Sequence, residues 1–257
     1  MPPTYYQSQS PFTFGPGIMT PAVKMLLGVN IILFLPGYLI PSLGLLLQQL
    51  FGLSPQAVLT GMRFWQPVTY MFLHGSIGHI LFNMLVLWMF GVQLERIWGA
   101  TYFLRFYFVT GVGAGLATIV AGLLPFQFSE PTYLSVTIGA SGATYGLLMA
   151  FAIYYPKAPI LMFFLFPVPA KYFVMIIGLI AFLSVPRGGG VAHVAHLGGL
   201  VVGYLYLQRG IGTNLASFGR FGLVAEIKYR YLRWKMGRLR RKFDVYPRDD
   251  DWNGPVH

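Results

Sequence analysis

One stretch of the chain, residues 64–94, reads FWQPVTYMFLHGSIGHILFNMLVLWMFGVQL and contains no Asp, Glu, Lys or Arg. A helix needs about 20 apolar residues to cross a hydrocarbon core of about 30 Å, so residues 75–94 are long enough for one crossing. Further runs without these charged residues occupy 25–62, 106–129, 131–156, 172–186 and 188–208. All but 172–186 contain a stretch near that length. The pattern predicts a membrane protein built from helices.

The composition of the whole chain agrees with this prediction. Hydrophobic residues make up 56% of the chain and charged residues 10%, and the mean hydropathy is +0.62. In soluble domains about 25% of residues are charged. We therefore predict an all-α polytopic membrane protein, a bundle of six transmembrane helices. The predicted spans are Ala22–Ile40, Gly75–Leu94, Phe106–Leu124, Val136–Tyr155, Tyr172–Val185 and Val191–Gln208.

The charges between the predicted spans are unequally distributed. Loops on the cytoplasmic side of a membrane collect Lys and Arg. If both termini are cytoplasmic, only Arg63 and Arg187 fall on the outer side. The other basic residues then lie on the cytoplasmic side, at Lys24, Arg96, Arg105, Lys157, Lys171 and in the tail from Arg209 onward. This asymmetry favours a topology with both termini inside.

Three regions follow from this pattern: a cytoplasmic arm at residues 1–21, the six-helix domain at 22–208 and a basic tail at 209–257. The net charge is +11, and most of the basic residues lie between Arg209 and Arg248. Apolar and basic residues alternate there at roughly helical spacing, which predicts an amphipathic helix on the inner membrane surface. Attraction to an anionic leaflet accounts for the charge. We expect membrane lipids as partners of the tail, and no nucleic acid.

Cysteine is absent, which excludes disulfides, a thiol nucleophile and cysteine-ligated metals. A zinc site on imidazole ligands is an alternative, because four histidines lie within the apolar runs. They are His74, His79, His193 and His196. The chain has no HExxH pattern, and no carboxylate lies near these histidines in the sequence to act as ligand or base. We expect neither a metal nor another cofactor.

Polar residues inside the apolar runs are the candidates for chemistry. His79 and Asn83 are four residues apart and share one face of the second predicted span, as do Ser141 and Tyr145 in the fourth. Such residues often only form hydrogen bonds between membrane helices. A serine nucleophile, however, needs a base, and His196 in the sixth predicted span can supply one.

Glycines accompany both the serine and the histidine. Gly142 and Gly146 follow the serine, and Gly199 and Gly203 follow the histidine. Small residues allow two helix backbones to approach closely. We predict that the two pairs of glycines face each other and bring Ser141 near His196.

The acidic residues decide which form of serine hydrolase is available. Of the seven, Glu95 ends the second predicted span, Glu130 lies in the loop before the fourth, and the others lie in the tail. None is placed to orient His196, so a Ser-His-Asp triad is not available. The G-x-S-x-G elbow is also not matched, because Ala143 occupies the position of its second glycine. A Ser141–His196 dyad remains.

These segments resemble those of the rhomboid intramembrane serine proteases. They are His74-Gly75-Ser76, His79-Ile80-Leu81-Phe82-Asn83-Met84, Gly139-Ala140-Ser141-Gly142-Ala143 and Ala195-His196-Leu197-Gly198-Gly199 with Gly203. The resemblance covers residues 22–208. It implies that Ser141 is the nucleophile and His196 the general base. It also implies an oxyanion hole formed by His79, Asn83 and the backbone amide of Ser141.

The same resemblance implies supporting roles for further residues. Tyr145 would pack against His196, and the supporting glycines are Gly139, Gly142 and Gly199. Glu95 with Arg96 is similar to an acidic and basic pair that follows the second span in the family. Family members often carry Trp-Arg in the first loop, whereas this chain has Arg63-Phe64-Trp65-Gln66. We therefore expect the internal contacts of this loop to differ.

Two segments around the predicted site have unusual lengths. The first loop, Pro41–His74, is long and apolar for a loop in water, so we expect a structured element packed partly into the membrane interface. The fifth predicted span, Tyr172–Val185, is shorter than the usual range of about 17–25 residues. A short helix is easily displaced. We predict that it forms, with the loop Ser184–Gly190, a gate for lateral entry of a transmembrane substrate.

The sequence therefore predicts an intramembrane serine endopeptidase that cleaves transmembrane proteins in or next to their membrane helices, in a bacterial inner membrane. The main alternative is a catalytically silent rhomboid-like protein that binds membrane helices. A transporter with a His-Asn relay is a third possibility, but the chain lacks inverted repeats and buried carboxylates. The sequence does not identify the substrate, the organism or the oligomeric state.

Overall fold

The computed structural model describes residues 16–162, 165–187 and 190–210, and this part of the chain is mostly helical. The predicted amphipathic tail and most of the predicted N-terminal arm lie outside the described residues. The α-helices, in chain order, are α1 Pro21–Leu39, α2 Pro41–Phe51, α3 Pro55–Leu59, α4 Gln66–Thr69, α5 Ile77–Val86, α6 Val92–Trp98, α7 Ala100–Gly122, α8 Ser129–Leu134, α9 Ser141–Tyr154, α10 Ala170–Ser184 and α11 Gly190–Gly210. A π turn at Leu87–Gly91 joins α5 to α6 in one continuous helix.

Three of these helices are long and apolar enough to cross a membrane. They are α1, the continuous helix Ile77–Trp98 and α7. Helices α9 and α10 are also apolar but have only 14 and 15 residues, and α11 has 21. Each of the six predicted spans overlaps one of these six helices. The fifth is short, as the sequence predicts.

The fourth helix of this set begins later than predicted. We expected it to begin at Val136, but residues 136–140 are not helical and α9 begins at Ser141. The reason is a long-range contact. Thr137 pairs with Leu53 of the first loop through two backbone hydrogen bonds of 2.8 and 2.9 Å. Because its N–H and C=O groups are bound to Leu53, Thr137 cannot also use them in the hydrogen bonds of a helix.

A β-hairpin stands between α9 and α10, which the all-α prediction did not include. Its strands are β1, Pro159–Met162, and β2, Phe166–Pro169, and they pair antiparallel with Ile160 opposite Val168. Three of the strand residues are prolines, at positions 159, 167 and 169. Proline cannot donate the backbone hydrogen bonds of a helix interior, which favours an extended conformation in this apolar segment.

The first loop is a structured element, as predicted. It contains α2, α3, α4 and the 3₁₀ turn Tyr70–Phe72. Gln66 is fully buried, and its side-chain oxygen accepts a hydrogen bond from the backbone N–H of Ser54 at 3.1 Å. The hydroxyl of Tyr70 donates to the carbonyl of Gly111 in α7 at 2.7 Å. Burial raises the pKa of Tyr70, so this hydroxyl stays neutral and remains a donor.

The carbonyl groups at the end of α2 are bound by side chains from the segment with the unusual Arg63-Phe64-Trp65 order. Arg63 Nη1 donates to the carbonyl of Gln49 at 2.6 Å, and Trp65 Nε1 donates to that of Leu50 at 2.9 Å. Thr69 Oγ1 donates to the carbonyl of Phe51 at 2.7 Å. The last carbonyls of a helix have no partner within the helix. These side chains therefore fix the end of α2 to the start of α4.

The pair Glu95 and Arg96 holds the start of α1. The carboxylate of Glu95 is buried and accepts hydrogen bonds from the backbone N–H groups of Ala22 and Val23, both at 2.9 Å. Thr20 donates its hydroxyl to the same carboxylate. A carboxylate is well placed at a helix N-terminus, where the free N–H groups and the helix dipole favour negative charge. Arg96 binds the carbonyls of Pro16 and Ile18.

The core of the described residues is built around α7. The largest side chains of its first half, Phe103, Phe106 and Tyr107, are fully buried. Its second half has small residues where other elements approach. A Cβ atom added to Gly115 would lie 3.2 Å from the ring of Tyr70. The first loop therefore packs directly against α7, which in turn packs against α9 and positions the start of that helix.

Candidate active site

The turn before α9 places Ser141 at the first residue of the helix. The backbone N–H of Gly139 donates to the carbonyl of Tyr70 at 2.9 Å, which ties the turn to the first loop. Gly139 has a φ of +118°, a conformation that side chains with a Cβ rarely adopt. Ser141 itself is half-buried. The serine therefore sits on a turn whose backbone is fixed from outside the helix.

The imidazole of His79 lies against this turn. A Cβ atom added to Gly139 would lie 2.5 Å from His79 Nε2, so only glycine leaves room for the ring. The other nitrogen, Nδ1, accepts from the backbone N–H of Gly75 at 3.5 Å. The hydrogen bond made by one imidazole nitrogen decides which tautomer is present. We assign the proton to Nε2, which makes this atom a donor directed at the serine turn.

Asn83 lies one turn further along α5 and is buried. Its Nδ2 donates to the carbonyl of His79 at 2.9 Å, which uses one of its two hydrogens. Its Oδ1 accepts from Thr144 Oγ1 at 3.4 Å. The second hydrogen of Nδ2 is therefore available to another acceptor. The shared face of His79 and Asn83 was predicted from their spacing.

Thr144 is a residue of this site that the sequence analysis missed. Its hydroxyl lies 3.4 Å from Asn83 Oδ1 and 3.1 Å from the carbonyl oxygen of Ser141. The side chain is almost fully buried. It thus connects the asparagine of α5 to the first turn of α9. Its position three residues after Ser141, on the same face of the helix, could have identified it.

His196 packs face to face on Tyr145. The two ring centroids are 4.1 Å apart and the ring planes differ by 3°. This contact was predicted from the resemblance. His193 approaches the same imidazole edge-on, with centroids 5.9 Å apart. The stack restricts the rotation of the His196 ring and holds it against Tyr145, which lies one helical turn after Ser141.

Helices α9 and α11 approach each other at glycines, as predicted. A Cβ atom added to Gly199 would overlap the carbonyl oxygen of Gly142, and one added to Gly203 would lie 3.1 Å from the Cα of Gly146. Backbones this close leave no room for side chains between them. The contact brings the helix of the serine and the helix of the histidine together over two turns.

The hydrogen bond of the predicted dyad is not formed among the described residues. His196 Nδ1 is buried there without a hydrogen-bond partner, and no carboxylate lies beside it. The buried Glu95 binds the start of α1 instead. Catalytic hydrogen bonds in structures without substrate are often long and close only in the complex. Among the described residues, the arrangement can accommodate a dyad but offers no third member of a triad.

The four histidines do not form a metal centre in the part of the chain that the structure describes. His74 and His79 lie edge to face with centroids 5.0 Å apart, and His193 and His196 form a separate pair. No group of three or more potential metal ligands occurs among these described residues.

Comparison with known proteins identifies the family of the chain. The model of the Rhomboid domain matches residues 61–211, which include Ser141, His196, His79 and Asn83. The chain belongs to the rhomboid family. Its apolar helices and its membership in this family make it an integral membrane protein.

Three curated relatives illustrate the similarity of this rhomboid to known proteins. The mitochondrial Rhomboid protein 1 of Saccharomyces cerevisiae is 30% identical over 207 residues, 79% of this chain and 57% of the relative. The Rhomboid protease AarA of Providencia stuartii is 33% identical over 61% of this chain and 59% of its own length. The Rhomboid protease GluP of Bacillus subtilis is 29% identical over 67% of this chain and 30% of its own length. This rhomboid thus spans less than two thirds of each of these relatives.

Proposed function

We propose that this rhomboid is an intramembrane serine endopeptidase that cleaves transmembrane proteins in or next to their membrane helices. One observation carries the proposal: two imidazoles contact residues shortly before and shortly after Ser141 in the chain. The ring of His79 contacts Gly139, two residues before Ser141, and the ring of His196 stacks on Tyr145, four residues after it. Two relatives named as rhomboid proteases support the same activity.

In the proposed mechanism, Ser141 Oγ attacks the carbonyl carbon of the scissile peptide bond, and His196 takes the hydroxyl proton. His196 then gives this proton to the leaving amine as the C–N bond breaks, and an acyl-enzyme remains on Ser141. Water hydrolyses the ester with His196 again as the base. The reacting nitrogen is Nε2, because Nδ1 is buried away from solvent.

The negative charge of the tetrahedral intermediate needs donors that are already in place. The proposed donors are the backbone N–H of Ser141, Nε2 of His79 and the second Nδ2 hydrogen of Asn83. Among the described residues, no carboxylate lies beside His196 to stabilise its imidazolium, so the proposed electrostatic stabilisation comes from these oxyanion donors. Removing one such donor from a serine protease typically costs about a hundredfold to a thousandfold in rate.

The proposal includes the membrane arrangement. Six helices cross the bilayer with both termini on the cytoplasmic side, and the dyad opens to the outer side, where water enters. The short helix α10 is the element that substrate displaces on lateral entry, because it buries few of its side chains. The supporting glycines Gly142 and Gly199 hold the dyad helices together. The basic tail binds anionic lipids of the inner leaflet, in a bacterial inner membrane.

Labelling with a fluorophosphonate probe tests the nucleophile and its base. We expect wild-type protein to be labelled and to cleave a model transmembrane substrate, and both activities to be lost in Ser141→Ala and in His196→Ala. Ser135→Ala is the matched control, since Ser135 is a half-buried serine six residues away whose hydroxyl donates only to the carbonyl of Pro131, and it should behave as wild type. A folded wild-type protein with no labelling and no cleavage would favour the silent, helix-binding alternative.

A further inference from the structure

The hairpin β1–β2 has one face packed against the helix bundle and one face free. On the packed side, Ile160 is buried in an apolar cluster with Phe151 of α9 and Val174 of α10. The backbone N–H of Ala170 donates to the carbonyl of Ala158 at 2.8 Å, which closes the base of the hairpin. The hairpin therefore has a fixed position relative to α9 and α10.

The free face is entirely apolar. Leu161 on this face is exposed by 51%, Leu165 and Phe166 at the tip of the hairpin are exposed by 71% and 61%, and every residue from Ala158 to Ala170 has an apolar side chain. Exposed apolar area costs about 25 cal/mol per Å² in water. A two-stranded hairpin is at best marginally stable in water on its own. A free face of this composition is therefore stable only in contact with an apolar phase or another apolar surface.

The residues at the base of the hairpin indicate that the apolar phase is the lipid bilayer. Lys157 and Lys171 precede and follow the apolar segment, next to Tyr155 and Tyr172. The ammonium group of Lys171 lies 4.7 Å from the centre of the Tyr172 ring. Aromatic and basic residues of this kind concentrate where the lipid headgroups meet the acyl chains.

The dimensions and the backbone of the hairpin limit its depth. A strand of four residues extends about 13 Å, whereas the hydrocarbon core is about 30 Å thick. Among the described residues, the outer edges of both strands are unpaired, and open sheet edges do not occur deep in hydrocarbon. The prolines Pro159, Pro167 and Pro169 reduce the number of N–H donors along these edges. The hairpin suits the boundary between headgroups and acyl chains.

We infer that the hairpin β1–β2 inserts into one leaflet of the bilayer at this boundary, with Lys157 and Lys171 at the lipid headgroups. It is thus a further membrane contact, separate from the spanning helices, and its partner is a lipid surface. Because Ala170 begins α10 directly after β2, the same contact anchors one end of that helix. The inference does not depend on the proposed proteolytic activity.

A single-cysteine depth measurement tests the inference, and the chain offers a clean background because it contains no cysteine. Leu165→Cys carries an environment-sensitive fluorophore in the full chain, reconstituted in vesicles of phosphatidylcholine and phosphatidylglycerol. Leu179→Cys, 58% exposed in α10, is the deep reference. Glu130→Cys, on an exposed residue of α8, is the aqueous reference. Leu161→Cys repeats the measurement at a second hairpin position if the first variant fails to fold.

We expect blue-shifted emission at Leu165, quenched more by nitroxide on the lipid headgroup or upper acyl chain than by a deep nitroxide or by aqueous iodide. The Lys157→Gln/Lys171→Gln background should lose part of the headgroup quenching in vesicles with phosphatidylglycerol. Quenching by iodide as strong as at Glu130 would overturn the insertion, and deep quenching as at Leu179 would overturn the boundary depth. Equal quenching in both backgrounds would overturn the role of the lysines.

Discussion

The two sides of the candidate site are held by different forces. On one side, the first loop is fixed by hydrogen bonds from buried or capping side chains, such as those of Gln66 and Tyr70, and it ties down the turn before Ser141. On the other side, α10 has only Ala170, Val174 and Ala181 buried. Among the described residues, no side chain of α10 forms a hydrogen bond to another element.

This difference suggests a division of tasks. Hydrogen bonds are directional and preserve a geometry to fractions of an ångström, which an oxyanion hole requires. Apolar contacts are non-directional, so a helix held only by them can move aside and return. We expect changes on the firm side, formed by the first loop and by the α9–α11 contact, to affect chemistry. Changes on the α10 side should affect the entry of substrate.

On the firm side, the glycine contact between α9 and α11 should be the most sensitive to substitution. In Gly199→Ala the new methyl group would overlap the carbonyl oxygen of Gly142, so α9 and α11 must separate. We expect loss of both probe labelling and substrate cleavage, with a lower unfolding temperature. Gly28→Ala is the matched control, because its Cβ would meet no atom within 4 Å, and helix propensity should stabilise it by up to about 1 kcal/mol. Wild-type labelling in Gly199→Ala would refute the close contact.

Restraining α10 should block the entry of a transmembrane substrate without affecting the reactivity of Ser141. Val86 of α5 and Ile177 of α10 pack on the same apolar cluster, so a bifunctional maleimide can join cysteines placed at both positions. We expect the crosslinked protein to lose cleavage of a transmembrane substrate but to keep labelling by the small fluorophosphonate, which enters from the outer side. Each single-cysteine variant treated with the same reagent serves as control. Undiminished cleavage after complete crosslinking would show that α10 is not the entry route.

Removing a buried hydrogen-bond acceptor from the first loop should weaken the firm side. Gln66→Ala leaves the backbone N–H of Ser54 buried without its partner, which costs about 1–3 kcal/mol. We expect a lower midpoint of thermal unfolding and a lower kcat, because the loop holds the serine turn. Gln56→Ala, an exposed glutamine of the same loop, should change neither quantity. Equal effects of the two substitutions would contradict the role of Gln66.

The free energy of unfolding should also depend on pH, because of His74 at the end of the first loop. Burial, with a smaller effect of His79, lowers the pKa of His74 from 6.5 to about 4. Between these values the unfolded chain binds a proton that the folded chain does not, so the free energy of unfolding falls as the pH falls. From pH 7 to pH 5 we expect a loss of about 1–2 kcal/mol.

Unfolding midpoints of wild type and His74→Gln in detergent, measured across this interval, check the expectation for His74. The variant should lose less stability on acidification because glutamine does not titrate. Parallel curves for the two proteins would mean that His74 is not responsible.

The sequence predicted the parts of this fold that depend on local pattern. Apolar runs located the helices, and the spacing of His79 and Asn83 located one face of the site. The glycine pairs predicted the α9–α11 approach, which the structure confirms. The stack of Tyr145 on His196 came from the family resemblance and is also confirmed.

The features that were not predicted depend on partners far away in the sequence. The late start of α9 follows from the pairing of Thr137 with Leu53, and no local signal at Val136 indicates it. The hairpin was missed because an apolar run has the same composition whether it forms a strand or a helix. The contact of Tyr70 with Gly111 joins residues 41 positions apart. The role of Ser141 and His196 as a dyad stays a prediction.

The carboxylate that caps α1 constrains the order in which the molecule assembles. Glu95 lies 73 residues after Ala22, whose N–H it binds. During synthesis α1 therefore enters the bilayer before its cap exists, and its first N–H groups must remain hydrated at the membrane surface until α6 is made. Glu95, near the end of the second long helix, then caps the N-terminus of α1. A ribosome stalled before Glu95 would hold an α1 that is inserted but not locked in place.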